Sequence, residues 1–503
     1  MRICAYQHGE ESEGVVKNTG TLRFLASNAS LYMTATVIQS AISFILIPLY
    51  ARNLPKAEFG AMDQIAQFIV VVQLLGTVGL PMGMVRGFYL AARDEHARRR
   101  MSGALFNFIF PVMSVVSLGV YLFANPLSNL IFAGMGKVEW VQWSAVLIVI
   151  SSLSGLPLSI FRTLQASRMF AWWSVVSSVV VAAAVAMLLL TQHFTLTNLL
   201  IANCAANVVV MAMLFPRFFK YSILNFKFKL LRPMFAFGIP LLPNSAARKV
   251  LEVAGRYLLP HFCGLTEVGT FVMGLKIATI LESMLLSPFS NAWMPYFYSQ
   301  SDNPNAPALF ARISGLAVMA LCLTLLIIEA VKPLLLSLLG GGRFADSGPV
   351  VSALLLGFVI NGIQYTVSPG IHLTKQLVKE ASLMAVSAVV CIALNAVLIP
   401  RLQSVGAALA QTGGYCFYLC STFLLSQYYY PVQYPWKKIG PAVATASFCW
   451  LAMGHFDNIG LRGLFVGIYA AVCIRLDPTL PGSAMTLLIH LRNKITGMRM
   501  AIS

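Results

Sequence analysis

Apolar runs of about 20 residues, separated by short polar links, recur along the chain from about residue 25 to residue 475. A helix of about that length crosses the roughly 30 Å hydrocarbon core of a bilayer. Runs such as residues 176–190 lack the alternating segments of a membrane β-barrel, which excludes that architecture. The pattern predicts an all-α polytopic membrane protein with about fourteen transmembrane helices, at residues 25–49, 62–84, 101–124, 141–161, 171–190, 196–215, 233–259, 268–291, 311–331, 349–370, 381–399, 404–426, 439–454 and 460–475.

The composition agrees with this pattern. Of the 503 residues, 58% are hydrophobic and 10% are charged, with a mean hydropathy of +0.77. Soluble domains carry about 25% charged residues, so a soluble enzyme is excluded. The first 20 residues are polar and include Glu10, Glu11 and Glu13, which does not match the basic start of a cleavable signal peptide. We therefore expect the first apolar run to remain as a transmembrane helix.

The positive charge predicts an orientation. Basic residues in short loops are retained on the cytoplasmic side of a membrane. With the N-terminus inside, about 24 of the 35 lysines and arginines lie in inner segments and about seven in outer segments. This bias accounts for the net charge of +18 without nucleic-acid binding. We expect a multi-pass protein of the inner (plasma) membrane with both termini in the cytoplasm. Four cations fall inside predicted spans: Arg248, Lys249, Arg256 and Lys276.

A short internal sequence repeat predicts two related lobes. Glu58–Gly60 matches Glu267–Gly269 at an offset of 209 residues, which spans six predicted helices. Because six is even, the two six-helix lobes would be related by a pseudo-twofold axis along the membrane normal, with a cavity between them. The predicted organisation is a cytoplasmic tail at 1–20, an N-lobe at 21–215, a basic cytoplasmic linker at 216–232, a C-lobe at 233–430, two additional helices at 431–476 and a basic cytoplasmic tail at 477–503.

Predicted span seven carries polar residues at intervals of four, namely Asn244, Arg248, Glu252 and Arg256. They would form one stripe about 18 Å long, in which Glu252 pairs with both arginines. Lys249 adds a flanking cation and leaves this helix near +2, a charge that is costly against lipid. The excess favours a central, cationic, water-filled cavity that binds phosphate or diphosphate groups. Ion pairs that join helices, or a misplaced span, are the alternatives.

Further polar residues are candidates for the same cavity. Lys276 in span eight would add another cation, unless it extends toward an interface. Arg86 at the end of span two could meet an anionic headgroup from the cytoplasmic leaflet, unless it only follows the positive-inside bias. The candidates for polar contacts or ion coupling are Glu252, Asn244 and Asp63. For Asp63, a solvated carboxylate at the outer interface is the favoured interpretation.

Motifs for covalent chemistry and cofactor binding are missing from the sequence. The nine cysteines include no CxxC pair, and the glycines of 340–343 lack the Lys-Ser/Thr ending of a P-loop. The histidines are scattered over loops and span ends. We therefore expect neither a metal, an organic cofactor nor an enzyme. Transport driven by a Na⁺ gradient, an H⁺ gradient or the membrane potential is expected instead.

Five segments resemble a known family of membrane proteins. They lie at residues 43–67, 79–89, 238–243, 292–299 and 394–411, and the last contains LIPRLQSVGAA. Their order and combination resemble polysaccharide exporters, more narrowly the O-antigen (Wzx-type) lipid-linked oligosaccharide flippases. These belong to the MOP superfamily, which also contains MATE drug exporters and the lipid II flippase.

The resemblance implies a function. A two-lobed, V-shaped transporter with a cationic cavity would move an undecaprenyl-diphosphate-linked repeat unit of O-antigen, capsule or exopolysaccharide to the periplasmic leaflet by alternating access. The implied partners are that polyprenyl-diphosphate-linked glycan and membrane lipids, with a polysaccharide polymerase and a chain-length regulator as candidates. The alternatives are a cation-coupled MATE-like exporter of drugs or small molecules and a lipid II flippase. A membrane-embedded glycosyltransferase or polymerase is disfavoured, since no large outer loop is present.

Overall fold

The computed structural model describes residues 17–80, 83–84, 87–88, 94–164, 166–191, 193–220, 222–223, 228–456 and 458–478. Within those residues, all regular secondary structure is helical. The α-helices are α1 Lys17–Asn53, α2 Lys56–Gly76, α3 Glu95–Leu122, α4 Ala124–Phe132, α5 Val138–Thr163, α6 Ser167–Leu190, α7 Leu196–Lys220, α8 Arg232–Cys263, α9 Leu265–Leu281, α10 Ser287–Ser299, α11 Ala306–Gly340, α12 Gly348–Val367, α13 Pro369–Leu373, α14 Leu377–Tyr429, α15 Trp436–Met453 and α16 Ile459–Leu476.

The helices confirm the predicted multi-pass membrane architecture. Eleven helical stretches in the described residues are long and apolar enough to cross a bilayer. One of them joins α9 to α10 through a π-helical turn at Glu282–Leu286, and another is α14, which contains two predicted spans. With α14 counted twice, and with α8 and α15 added, these helices account for the fourteen predicted spans.

Helix α14 is a pair of antiparallel helices joined by a sharp turn at Gln403. The backbone of Gln403 has φ of 52°, in the left-handed region that a non-glycine residue rarely adopts. Pro400, shortly before the turn, has no backbone N–H to donate, which favours a break in the helix at this point. After the turn, Gly406 approaches the carbonyl of Leu398 so closely that a Cβ atom would lie 2.3 Å from its oxygen.

The described part of the chain divides into two compact units. The first comprises residues 1–47, 72–125 and 138–242, and the second comprises residues 48–71, 126–137 and 243–503. Most of α2 and most of α8 therefore belong to the second unit.

The first unit has an aromatic core formed by α5, α6 and α7. The guanidinium carbon of Arg217 lies 4.6 Å from the ring centre of Trp173, a cation–π contact that covers one edge of this core. The buried residues of the core are Phe161, Phe170, Trp173, Val210 and Leu214.

In the second unit, α8 packs its apolar face against both halves of α14. Leu251 and Ala254 of α8 are buried in that contact. In the sequence they lie between the polar positions Arg248, Glu252 and Arg256 of the same helix. The packing therefore fixes the direction in which the polar stripe points. The other buried members of the cluster are Met384, Ala388, Cys391, Tyr415 and Tyr418.

Gly60 and Gly269, the two glycines of the internal sequence repeat, lie in contact where α2 crosses α9 in the second unit. A Cβ atom on Gly60 would lie 2.6 Å from the backbone nitrogen of Gly269, and one on Gly269 would lie 2.2 Å from the carbonyl oxygen of Lys56. Only glycine, which has no Cβ atom, allows such a close approach. Tight contacts between small residues are typical of association between membrane helices. The repeated motif thus places α2 directly beside α9.

Candidate functional site

A buried ion-pair cluster joins α2, α8 and α9 in the second unit. One carboxylate oxygen of Asp63 lies 2.8 Å from a guanidinium nitrogen of Arg256, and the other lies 2.8 Å from the ammonium nitrogen of Lys276. The side chain of Asp63 is 2% exposed and that of Arg256 is 7% exposed, whereas that of Lys276 is 32% exposed. Both oxygens of this carboxylate are therefore engaged by cations.

Asp63 is the clearest correction to the sequence analysis. The favoured prediction of a solvated carboxylate at the outer interface is wrong, because the crossing of α2 over α9 carries this side chain into the interior of the unit. The neighbouring Gln64 reinforces the contact: its side-chain amide donates to the carbonyl of Arg256 at 2.6 Å. In turn, the hydroxyl of Tyr257 donates to the carbonyl of Gln64 at 3.0 Å.

The predicted pairs of Glu252 with both arginines are not formed. Instead, Glu252 accepts from Lys249 at 2.7 Å, across three residues of the same helix. Arg256 is drawn away by Asp63, a carboxylate on another helix. The polar stripe on α8 is present as predicted, but its charges are paired in a different way.

Arg248 occupies a different environment from the other cations. Its guanidinium carbon lies 5.8 Å from the ring centre of Tyr418, and no carboxylate among the described residues forms an ion pair with it. Glu252, Tyr365 and Tyr415 are within electrostatic range. The ring of Tyr418 thus lies beside Arg248 and leaves its donor groups able to bind an anion.

Glu282 is a charged neighbour that the sequence analysis did not place here. It lies in the π-helical turn after α9 and interacts electrostatically with Glu252, Lys249, Arg248 and Arg256. Four cations and three carboxylates therefore share this region of the second unit, which leaves one excess positive charge. This is less than the +2 expected from α8 alone. The π-helical turn that carries Glu282 is visible only in the structure, and such turns are frequent at functional sites.

Two predicted site residues have different outcomes. The side-chain oxygen of Asn244, at the start of the stripe, is buried and has no hydrogen-bond partner within the described residues. It is an available acceptor on the same helix as Arg248. Arg86 lies outside the described residues, so its predicted role stays a prediction.

Arginine forks and ammonium groups bind phosphate oxygens well, which makes Arg248 and Lys276 the two cations best suited to an anionic ligand. Of the four cations in this region, Arg248 is the one without a carboxylate partner among the described residues, and Lys276 is the most exposed member of its cluster. In the same described part, no group of three or more His, Cys, Asp or Glu side chains could hold a metal. Arg248 and Lys276 therefore suit binding of an anion.

Comparisons with known proteins agree with the architecture. The profile of a family described as "Polysaccharide biosynthesis protein" matches residues 25–300. The succinoglycan biosynthesis transport protein ExoT of Rhizobium meliloti (strain 1021) is 22% identical over 259 residues. That match covers 51% of this chain and 50% of ExoT, so the chain spans about half the length of this curated relative.

Solved structures share the fold. The lipid II flippase MurJ, in an inward closed conformation, superposes with a TM-score of 0.68 and 13% identity, covering 90% of this chain and 99% of that one. An inward-facing multidrug resistance MATE family transporter of the MOP superfamily gives a TM-score of 0.62 and 13% identity, covering 79% and 94%. At this identity the likeness establishes a common fold.

Proposed function

Because the chain belongs to the polysaccharide biosynthesis protein family, we propose that it is a flippase for a polyprenyl-diphosphate-linked oligosaccharide. The substrate would be a repeat unit of O-antigen, capsule or exopolysaccharide, moved from the cytoplasmic to the periplasmic leaflet of the inner membrane by alternating access. Both termini would lie in the cytoplasm, as the distribution of basic residues predicts.

The observation that carries this proposal is Arg248. A partly exposed arginine inside a span, without a carboxylate partner among the described residues and within a region that keeps one excess positive charge, needs an anion or water to offset the cost of its charge in the membrane. A diphosphate offers oxygens that match the guanidinium fork. Lys276 would add a second contact, while its bond to Asp63 holds it in place.

Two relatives support the choice of a lipid-linked glycan. ExoT is a succinoglycan biosynthesis transport protein, and MurJ is a lipid II flippase. A diphosphate link between lipid and sugar would explain why a cation is needed inside a span. The competing proposal, a cation-coupled drug exporter, does not need an anion-binding Arg248.

The test is the lipid-linked glycan pool of cells that lack the gene. The repeat unit on each leaflet is measured by labelling with a reagent that does not cross the membrane. We expect the finished unit to accumulate on the cytoplasmic leaflet and wild-type protein to restore the distribution. Arg248→Ala should fail to restore it, and Arg248→Lys should restore it in part, because a lysine keeps the charge and loses the fork.

Arg217→Ala is the matched control. Arg217 also lies over an aromatic ring, that of Trp173, but in the first unit. This variant should restore the distribution like wild type, and both variants must be present in the membrane at equal amounts. A normal pool in the deletion strain refutes the proposal and makes drug accumulation the next measurement. Full rescue by Arg248→Ala refutes the role of Arg248.

A further inference from the structure

A cavity of about 660 Å³ lies in the second unit, near the ends of α11 and α15 and the starts of α12 and α16. This volume is typical of sites that bind small molecules. None of the charged groups that the structure describes around Arg248 or Asp63 lines it, so it is separate from the candidate site. We call it the Trp450 cavity, and the residues that line it include Glu329, Lys332, Ser352, Trp450, Leu451 and Arg462.

Three ionisable side chains among the described residues line the Trp450 cavity, and all three are shielded from solvent. The side chain of Glu329 is 3% exposed, that of Lys332 is 13% exposed, and Arg462 is 4% exposed. Two cations face one carboxylate, which leaves one excess positive charge among the described lining residues. A charge inside a span is costly unless an anion or water meets it.

Two hydrogen-bond donors at the cavity have no acceptor among the described residues. An ammonium group has three N–H bonds, and that of Lys332 is bonded to Glu329 and donates to the hydroxyl of Ser352 at 2.7 Å, which leaves one. The indole Nε1 of Trp450 is buried and has no hydrogen-bond partner in the described part of the chain. An unpaired buried donor is costly, and tryptophans near a membrane surface use this N–H to bind a polar group. Both donors suit an anionic oxygen.

Exposed leucines also line the Trp450 cavity. Leu409 of α14 is 37% exposed, and Leu451 of α15 is 60% exposed. Because both helices correspond to predicted spans, exposed leucines on them face the acyl chains of the membrane. A ligand of this cavity therefore meets buried polar groups as well as side chains that face hydrocarbon, which favours an amphiphilic molecule.

We propose that the Trp450 cavity binds the headgroup of an anionic phospholipid from the surrounding membrane. A phosphate diester carries one negative charge, which matches the excess positive charge, and its oxygens accept from Lys332 and Trp450. Basic pockets between transmembrane helices bind anionic headgroups in this way. The acyl chains lie along Leu409 and Leu451. The inference does not rest on the proposed function, because the ligand is a membrane lipid and not the transported glycan.

Other sources of phosphate lack one of the matching properties. Inorganic phosphate has no acyl chain to cover the two leucines. Phosphatidylcholine has the acyl chains and the phosphate, but the ammonium group of its headgroup restores the excess positive charge. An anionic phospholipid such as phosphatidylglycerol satisfies the charge, the donors and the apolar surface together.

The test is lipid binding by the delipidated full-length protein in detergent micelles, measured by native mass spectrometry. Phosphatidylglycerol and phosphatidylcholine with the same acyl chains differ in mass, so the two bound species are counted separately. We expect one tightly bound phosphatidylglycerol. Phosphatidylcholine should bind about tenfold more weakly, because the charge of the cavity stays uncompensated. Inorganic phosphate should not displace the bound lipid.

A conservative variant tests the indole N–H. Trp450→Phe keeps an aromatic ring and removes the donor, and it should weaken binding of phosphatidylglycerol about tenfold, as expected for a lost hydrogen bond to a charged group. Trp436→Phe is the matched control, since Trp436 begins the same helix, is 61% exposed and does not line the cavity. This control should bind the lipid like wild type.

A second variant tests the space itself. Ala345 is an exposed residue that lines the cavity, and Ala345→Trp should fill part of it without changing a charge or a donor. Phosphatidylglycerol should then bind at least tenfold more weakly. Thermal unfolding of the lipid-free variants shows that the fold is intact, and a folding defect in one variant leaves the other to decide the question.

The outcomes separate this inference from the proposed function. Equal binding of the two phospholipids overturns the anionic headgroup, and unchanged binding of phosphatidylglycerol in both Trp450→Phe and Ala345→Trp overturns the site. A loss in Trp436→Phe as large as that in Trp450→Phe also overturns it. Displacement of phosphatidylglycerol by farnesyl-diphospho-N-acetylglucosamine would assign the cavity to the transported substrate instead. Full rescue of the glycan pool by Arg248→Ala refutes the role of Arg248 and leaves the lipid site in place.

Discussion

The buried carboxylate of Asp63 makes a sharp prediction for stability. Asp63→Asn keeps the volume of the side chain but removes the charge that neutralises Arg256 and Lys276. Arg256 is 7% exposed, so water cannot replace the lost partner. The ion pair between Arg256 and Asp63 is therefore a buried pair. Removing one member of such a pair costs about 3–5 kcal/mol.

Lys276 provides the internal comparison. Its removal leaves Asp63 paired with Arg256, so the buried carboxylate keeps one of its two cations. Exposed ion pairs contribute about 0–1 kcal/mol, and Lys276→Met should stay near the upper end of that range. Asp63→Asn leaves both cations unpaired, whereas Lys276→Met keeps the buried pair of Asp63 and Arg256, so the difference in their costs measures that buried pair.

The assay is the free energy of unfolding in mixed micelles, followed by far-ultraviolet circular dichroism. We expect Asp63→Asn to lower it by about 3–5 kcal/mol and Lys276→Met by about 1 kcal/mol. The double variant Asp63→Asn, Arg256→Met should be more stable than Asp63→Asn alone, since neutral groups often replace a buried pair at little cost. Equal losses from the two single variants, or a double variant with summed losses, would refute the reasoning.

Two further predictions concern packing and a second buried pair. Gly269→Ala should lower thermal stability clearly, because its Cβ would lie 2.2 Å from the carbonyl oxygen of Lys56; Gly119→Ala, whose Cβ would have no neighbour within 4 Å, should leave it unchanged or slightly raised. Glu329, 2% exposed, is bonded to Lys332 and accepts from Ser352 at 2.9 and 3.0 Å. Glu329→Gln should therefore cost about 3–5 kcal/mol in the same unfolding assay, and a loss under 1 kcal/mol would contradict burial of that charge.

Helix positions and the presence of cations inside spans could be predicted from the sequence. A run of about 20 apolar residues has one stable form in a bilayer, because a helix satisfies its backbone hydrogen bonds within the segment. The stripe on α8 follows from spacing along one helix, so Arg248 and Arg256 were found from their positions alone. The sequence repeat at Gly60 and Gly269 could also be found from the sequence, whereas the contact between the two glycines could not.

Only the tertiary structure decided which charges neutralise one another. Asp63 is 193 residues from Arg256 and 213 from Lys276, and the periodicity of a single helix carries no information about such a pair. The same holds for Tyr418, which the hairpin at Gln403 brings beside Arg248. Sequence spacing determines which face of a helix a charge occupies, whereas the crossing of helices determines what that face meets. An ion pair depends on a distance of a few ångströms across two helices, so it exists only once those helices are packed.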